Sequence, residues 1–252
     1  MRFAIACVGL VACALIGGCH GCRRDLVRAD AAYYAWDQRA VHCAVPIDAR
    51  HHVDIDELDR GLDRARDSGT VLELYAHDPP HTVAWDLIEQ LLAHARARGL
   101  AFVTYEDIAA GRRPSGGAVA LSFDDSHVDD WLAGAPLFAR YGARVTFWIS
   151  RFDRMPPSER AGLHQLAAAG HAIEAHGVEH RDARDYASDY GVARWLADEV
   201  QPSIDELRAE GYPVHGYAYP FGARTDATDR AAASRVAIVR ASSLGWFQTC
   251  PH

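Results

Sequence analysis

The stretch Ala118-Val119-Ala120-Leu121-Ser122-Phe123-Asp124-Asp125 is an apolar run that ends in two adjacent carboxylates. A similar run, His171-Ala172-Ile173-Glu174-Ala175-His176, ends in the first of two imidazoles four residues apart, His176 and His180. A third, 214–219, leads into Pro220-Phe221-Gly222. Short apolar runs bounded by turn residues read as buried strands. Further runs lie at 42–47, 71–76, 144–149 and 236–239, with helix-like segments between them at 56–67, 84–98, 129–141, 158–169, 191–210 and 227–234. Gly69, Gly99, Gly142, Gly170 and Gly211 fall where such helices should stop. Seven strands alternating with helices predict an α/β barrel or a doubly wound sheet. Barrels carry their reactive residues at the C-terminal ends of strands, where Asp124, Asp125, His176 and Tyr219-Pro220 all fall.

The residue types at those ends suggest one chemistry. A carboxylate and two neutral imidazoles make three N/O ligands for a divalent metal and leave positions open for water and substrate. The second carboxylate is then free to take a proton from that water. This is the outline of a metal-assisted hydrolase.

Bulk properties narrow the field. A chain of 252 residues holds one large domain or two small ones, and 49% apolar with 24% charged residues fits an ordinary globule. The net charge is −8 and no basic run occurs, so nucleic acid is not an expected partner. The chain contains no lysine, which excludes Schiff-base chemistry and a P-loop.

The first residues read as a targeting segment. Arg2 precedes an apolar stretch, 3–16, too short to span a bilayer comfortably, and Leu15-Ile16-Gly17-Gly18-Cys19 resembles a bacterial lipobox. On that resemblance 1–18 is a lipoprotein signal peptide, Cys19 is lipidated, 19–39 is a tether and 40–252 is the folded domain. The protein would then sit in the cell envelope, anchored to a membrane without spanning it; His20 after the cysteine favours the outer membrane. An uncleaved anchor and a plain secretory signal are the alternatives.

Taken together, Ser122-Phe123-Asp124-Asp125-Ser126, His176 with His180, and Ala218-Tyr219-Pro220-Phe221 resemble the three motifs of the NodB-homology polysaccharide deacetylases, carbohydrate esterase family four. The resemblance implies Asp124 as general base, Asp125, His176 and His180 as ligands of zinc (cobalt or nickel would suit the same donors), and the Phe221 N–H as an oxyanion donor. Two family features are absent in linear order. The third motif's arginine is Ala218, and the chain ends before a final Leu-x-His strand. However, Thr70-Val71-Leu72-Glu73-Leu74-Tyr75-Ala76-His77-Asp78 and Gly99-Leu100-Ala101-Phe102-Val103-Thr104-Tyr105 resemble that C-terminal unit. The implied fold is a distorted seven-stranded (β/α) barrel, circularly permuted, with His77 as general acid and Tyr75 where the family has its acyl-pocket leucine. Asp48 is the candidate to orient His77 and raise its pKa. The permutation also brings Cys43 near Cys250, which predicts a disulfide with Cys22 left over; two free buried thiols are the alternative.

Several residues keep open readings. Strand alternation puts Glu174 on the face of His176, where it would serve a ligand histidine or pair with Arg144 or Arg240. Arg240 is also a candidate tether for Asp124. His127, Asp129 and Trp131 either line a sugar groove or begin a helix. The implied activity is removal of N-acetyl groups from an N-acetylglucosamine-type polysaccharide. The rivals are a catalytically silent glycan-binding lipoprotein and an O-acetyl glycan esterase.

Overall fold

The computed structural model describes residues 26–243 and Cys250. The strands are β1 (Tyr33–Tyr34), β2 (Val41–Pro46), β3 (Val71–Ala76), β4 (Ala101–Phe102), β5 (Ala118–Asp125), β6 (Thr146–Ile149), β7 (Ala172–Ala175), β8 (Gly216–Ala218) and β9 (Ile238–Ser242). Seven of them form a parallel ring in the order β3–β2–β9–β8–β7–β6–β5, and pairing of β5 back to β3 closes it. β1 adds to β3 antiparallel and β4 to β5 parallel, both outside the ring. The expected seven-stranded (β/α) barrel is therefore the fold. β2 and β3 precede the other ring strands in sequence yet fill the gap between β9 and β5.

Alternation along each strand sorts the side chains into two apolar regions. Val119, Leu121 and Phe123 of β5 face the helices, whereas Ala118 and Ala120 face the barrel interior. The interior is filled by pairing small residues with large ones, as a narrow barrel requires. Ala118, Ala120 and Ala218 leave room for the fully buried Tyr105 and Trp148. Gly216 belongs to the same fit, since a Cβ there would lie 2.8 Å from the Trp148 ring.

The helices are α1 (Ile55–Ser68), α2 (Trp85–Ala97), α3 (Tyr105–Ala109), α4 (Val128–Tyr141), α5 (Pro157–Ala168), α6 (Ala183–Tyr190), α7 (Val192–Trp195), α8 (Gln201–Ala209) and α9 (Asp226–Ala232). Local chemistry sets their ends. Asp54 accepts from the Glu57 N–H at 2.8 Å to start α1, and Gly69, at φ 65°, closes it in the left-handed region. α3 begins with a Thr104–Asp107 capping box. Among the described residues no helix is long and apolar enough to cross a membrane.

Four expectations need correction or completion. The tether expected over 19–39 does not hold from residue 26 on: Leu26, Ala32, Tyr33 and Tyr34 are buried, and β1 pairs with β3, so this stretch is part of the packed domain. The expected signal segment 1–18, the expected lipidation site Cys19, and Cys22 lie outside the described residues. The helix expected over 191–210 is interrupted by a π-turn, Leu196–Val200, between α7 and α8, and α6 precedes it. Glu174 binds neither Arg144 nor Arg240, because those pair with Asp107 and Asp124. Its carboxylate accepts from the His215 and Gly216 backbone N–H groups, each at 2.7 Å, and burial pushes its pKa up to about 8. It braces β8 against β7 and does not reach a ligand histidine. The expected Cys43–Cys250 disulfide is present and ties β2 to the C-terminal end of the chain.

Candidate active site

The C-terminal strand ends enclose a cavity of about 430 Å³. β5 delivers Asp124 and Asp125, the turn after β7 delivers His176 and His180, and the turn after β8 delivers Phe221. Arg240 comes from β9, Tyr75 and His77 from the end of β3, and Asp48 from just past β2. Ring closure therefore gathers residues far apart in sequence.

Asp125, His176 and His180 offer ligand atoms that all lie within 4.8 Å of one another. Asp125 Oδ1 is 3.1 Å from His180 Nε2 and 3.7 Å from His176 Nε2, and it is buried without a hydrogen-bond partner among the described residues. His176 Nδ1 donates to the Ala218 carbonyl at 2.9 Å, which leaves Nε2 with its lone pair toward the cluster. Burial pushes the His176 imidazole down to about 4, so it is neutral, the form that binds metal. Burial would raise the Asp125 carboxyl, but His127, His180 and His176 around it hold it well below the usual carboxylate range. A carboxylate and two imidazoles with converging lone pairs and an orphaned oxygen fit a divalent cation.

Asp124 sits beside this cluster, its Oδ2 3.8 Å from His176 Nε2. Its Oδ1 accepts from the guanidinium of Arg240, which is buried with it. Arg240 is thus the tether for Asp124, as expected of it. Its guanidinium lies 4.6 Å from the Tyr75 ring centre and 5.6 Å from that of Trp148. Tyr75 itself donates to or accepts from Ser242 Oγ at 2.9 Å.

Across the cavity, His77 Nδ1 donates to Asp48 Oδ2 at 2.7 Å. Asp48 Oδ1 accepts from the Thr82 hydroxyl at 2.6 Å and the His77 N–H at 3.2 Å, so both oxygens are fixed. Burial alone would lower the His77 pKa; the Asp48 bond and the charges of Asp124, Asp48 and Asp125 outweigh it and raise the pKa. Burial would likewise raise Asp48, yet His77 and Thr82 bring it below its ordinary value. The Trp131 indole N–H donates to the His77 carbonyl at 2.9 Å.

Three cavity residues adopt left-handed backbone conformations: Asp125 (φ 85°), His180 (φ 60°) and Phe221 (φ 60°). Such conformations are uncommon for residues other than glycine and concentrate where side-chain direction matters. Phe221, largely exposed, lies edge-on to His180 with ring centres 4.8 Å apart.

Of the residues expected to line a sugar groove, only His127 lines this cavity. Trp131 is fully buried against Phe147, and Asp129 lies in the first turn of α4. Sequence reasoning missed Glu199, which no motif marks. The π-turn carries its buried carboxylate beneath the loop holding both histidines, where Oε2 accepts from the Glu179 N–H at 3.1 Å and Oε1 lies 3.3 Å from Arg181 Nε. π-turns recur at functional sites because their extra residue redirects a side chain.

The sequence matches the polysaccharide deacetylase family over residues 111–238, about half of the chain. The chain belongs to that family. No curated protein matches it. Among solved structures it is similar to the deacetylase PplD from Streptococcus pyogenes, solved in complex with acetate, with 23% identity over 65% of this chain and 78% of that one and a TM-score of 0.54. IcaB from Ammonifex degensii is similar at 18% identity, 66% and 80% coverage and a TM-score of 0.56. The deacetylase domain of BpsB from Bordetella bronchiseptica gives 18%, 68%, 94% and 0.52. At these identities the likeness is one of fold.

Glu199 generates a prediction. Glu199→Ala should weaken metal binding by roughly 10-fold or more, as loss of an outer-shell support typically does, with Glu199→Gln intermediate. Chelator competition on the folded variants would measure it. Unchanged affinity in Glu199→Ala would show that the loop holds its histidines without this carboxylate.

Proposed function

We propose that this chain is a metal-dependent hydrolase that removes N-acetyl groups from an N-acetylglucosamine-type polysaccharide of the cell envelope. The observation that carries the reading is the Asp125–His176–His180 cluster with Asp124 on one side and the Asp48-bound His77 facing the same cavity. A zinc ion held by those three residues, or cobalt or nickel in its place, supplies Lewis-acid activation of carbonyl and water. Asp124, paired with and aimed by Arg240, takes the proton of the attacking water. The Phe221 N–H meets the carbonyl oxygen as it gains charge. His77, with Nδ1–H on Asp48, gives the proton on Nε2 to the departing nitrogen, so the C–N bond breaks to free amine and acetate.

Two further readings accompany this one. The lipobox-like Leu15–Cys19 stretch supports a lipid anchor at Cys19 in the envelope. The family match begins only at residue 111, while β2 and β3 close the ring between β9 and β5, which supports a circular permutation. A gene re-cut so that residues 40–110 follow residue 252 should then yield the same metal affinity; failure to fold in that order would count against permutation.

Acetate release from N-acetylated glycans by membranes carrying the full-length protein tests the function. Release should vanish with a chelator and return with zinc, and Cys19→Ala should abolish incorporation of labelled fatty acid into the protein. Glycan binding without release would favour the silent binding lipoprotein, and release only from acetyl esters the O-acetyl esterase. A wild-type protein that takes up no fatty-acid label would exclude the lipid anchor.

A pH profile tests His77. His77→Ala should lower kcat by about 10²–10⁴-fold and spare metal binding. Activity should fall as pH rises through the His77 pKa, because the acid form is then lost. Asp48→Asn removes the partner that raises that pKa, so the alkaline limb should move to lower pH. An unmoved limb would sink the assignment of His77 as acid.

A further inference from the structure

The opposite end of the barrel holds a second cavity, of about 520 Å³. Tyr34 of β1, Trp36 and Arg39 in the connection to β2, His42 of β2, Arg113 ahead of β5 and Ile238 of β9 line it. His42 and Ile238 lie within the first two residues of their strands, whereas Arg240 and the residues after β2 face the Asp125–His176–His180 cluster. The two cavities therefore sit at opposite ends of the strands.

Three buried polar atoms on this wall lack a hydrogen-bond partner among the described residues: Trp36 Nε1, Arg39 Nε and His42 Nε2. His42 is only 1% exposed, and its Nδ1 is engaged by both Glu73 carboxylate oxygens, at 3.1 and 3.2 Å. Glu73 is held in turn by the Tyr105 hydroxyl at 2.9 Å. The imidazole is therefore anchored and cannot turn to satisfy Nε2 elsewhere. A barrel floor built for stability alone would pair such groups or replace them with apolar ones, since buried indole and imidazole nitrogens are normally bonded. Trp36 and Gln38 are also held in left-handed conformations, at φ 60° and 61°.

The lining indicates a ligand class. Trp36, part-exposed and backed by the buried Tyr34 with ring centres 5.3 Å apart, offers an aromatic face suited to the C–H face of a sugar ring. The indole N–H and the imidazole nitrogen suit hydroxyl groups. The wall carries two arginines and no carboxylate, in a chain of net charge −8. Arg39 is engaged by Glu73 at 3.5 Å, by Asp37 at 4.0 Å and by the Ala31 carbonyl at 3.1 Å, whereas Arg113, exposed at the rim, has no ion-pair partner among the described residues. An unpaired guanidinium at the rim of a cavity favours a carboxylate.

We propose that this cavity is a second binding site, which takes an acidic sugar unit: a hexose ring bearing a carboxylate. The sugar body rests on the polysaccharide deacetylase reading; the anion rests on the lining alone.

The test is titration of the full-length protein with glucuronic acid, glucose and acetate at millimolar concentration, observing the ¹H–¹⁵N signal of the Trp36 indole, assigned by its loss in Trp36→Phe. None of the three is an N-acetyl substrate, so failure here is separate from failure of the proposed activity. Glucuronic acid should shift the Trp36 signal, glucose and acetate should not, and Arg113→Gln should weaken the effect roughly 10-fold, the loss of one charge-assisted hydrogen bond. Arg113→Gln should retain acetate release from a small N-acetylated sugar. No shift with glucuronic acid, an equal shift with glucose or acetate, or undiminished binding in Arg113→Gln would overturn the proposal.

Discussion

The Arg240–Asp124 ion pair inside the barrel is the constraint on which the site depends. Both partners are buried, and a buried charge is tolerated only when paired and hydrogen-bonded. Removing one partner of such a pair typically costs about 3–5 kcal/mol, because the other is left uncompensated. Arg240 of β9 meets Asp124 of β5 and lies near the rings of Tyr75 on β3 and Trp148 on β6. Four strands of the ring therefore converge on one guanidinium. Small residues below it, Ala120 and Ala218, and the bare backbone of Gly216 make room for Trp148. The apolar filling and the carboxylate's aim are one packing problem.

Directional precision at the strand ends is held in unusual backbone as well as in charge. Asp125, His180 and Phe221 share left-handed conformations that the surrounding structure must enforce. For His180 the enforcement is visible: the Glu199 carboxylate binds the N–H of Glu179, the residue before it, from inside a π-turn. The same economy marks the acid side, where one carboxylate, Asp48, fixes the His77 ring, its backbone N–H and Thr82.

Much of this architecture is legible in the amino-acid sequence. The strand at 71–76 matches β3 residue for residue, and helix ends at Gly69 and Gly142 follow from local capping chemistry. The candidate metal cluster Asp125, His176 and His180 is legible because its members follow apolar runs and two of them share one turn. Less visible is anything that depends on a single side chain entering a core. Leu26, Tyr33 and Tyr34 belong to pieces too short to show a helix or strand period, yet each is buried. The π-turn leaves the helical pattern of 191–210 nearly unchanged while turning Glu199 inward. Glu174 shares strand phase with His176, but phase fixes a face, not a depth, and it binds backbone at the start of β8 instead.

By itself the sequence determined the alternation of strands and helices, their caps, and the local spacings Asp124-Asp125 and His176-His180, because these depend on contacts within a few residues. The pairings of His77 with Asp48, Arg240 with Asp124 and Cys43 with Cys250 were anticipated only through family resemblance. Tertiary structure decided them, since they join residues 29, 116 and 207 positions apart. Which strand ends become neighbours is set by closure and register of the ring, and only there can a buried charge find its counter-charge.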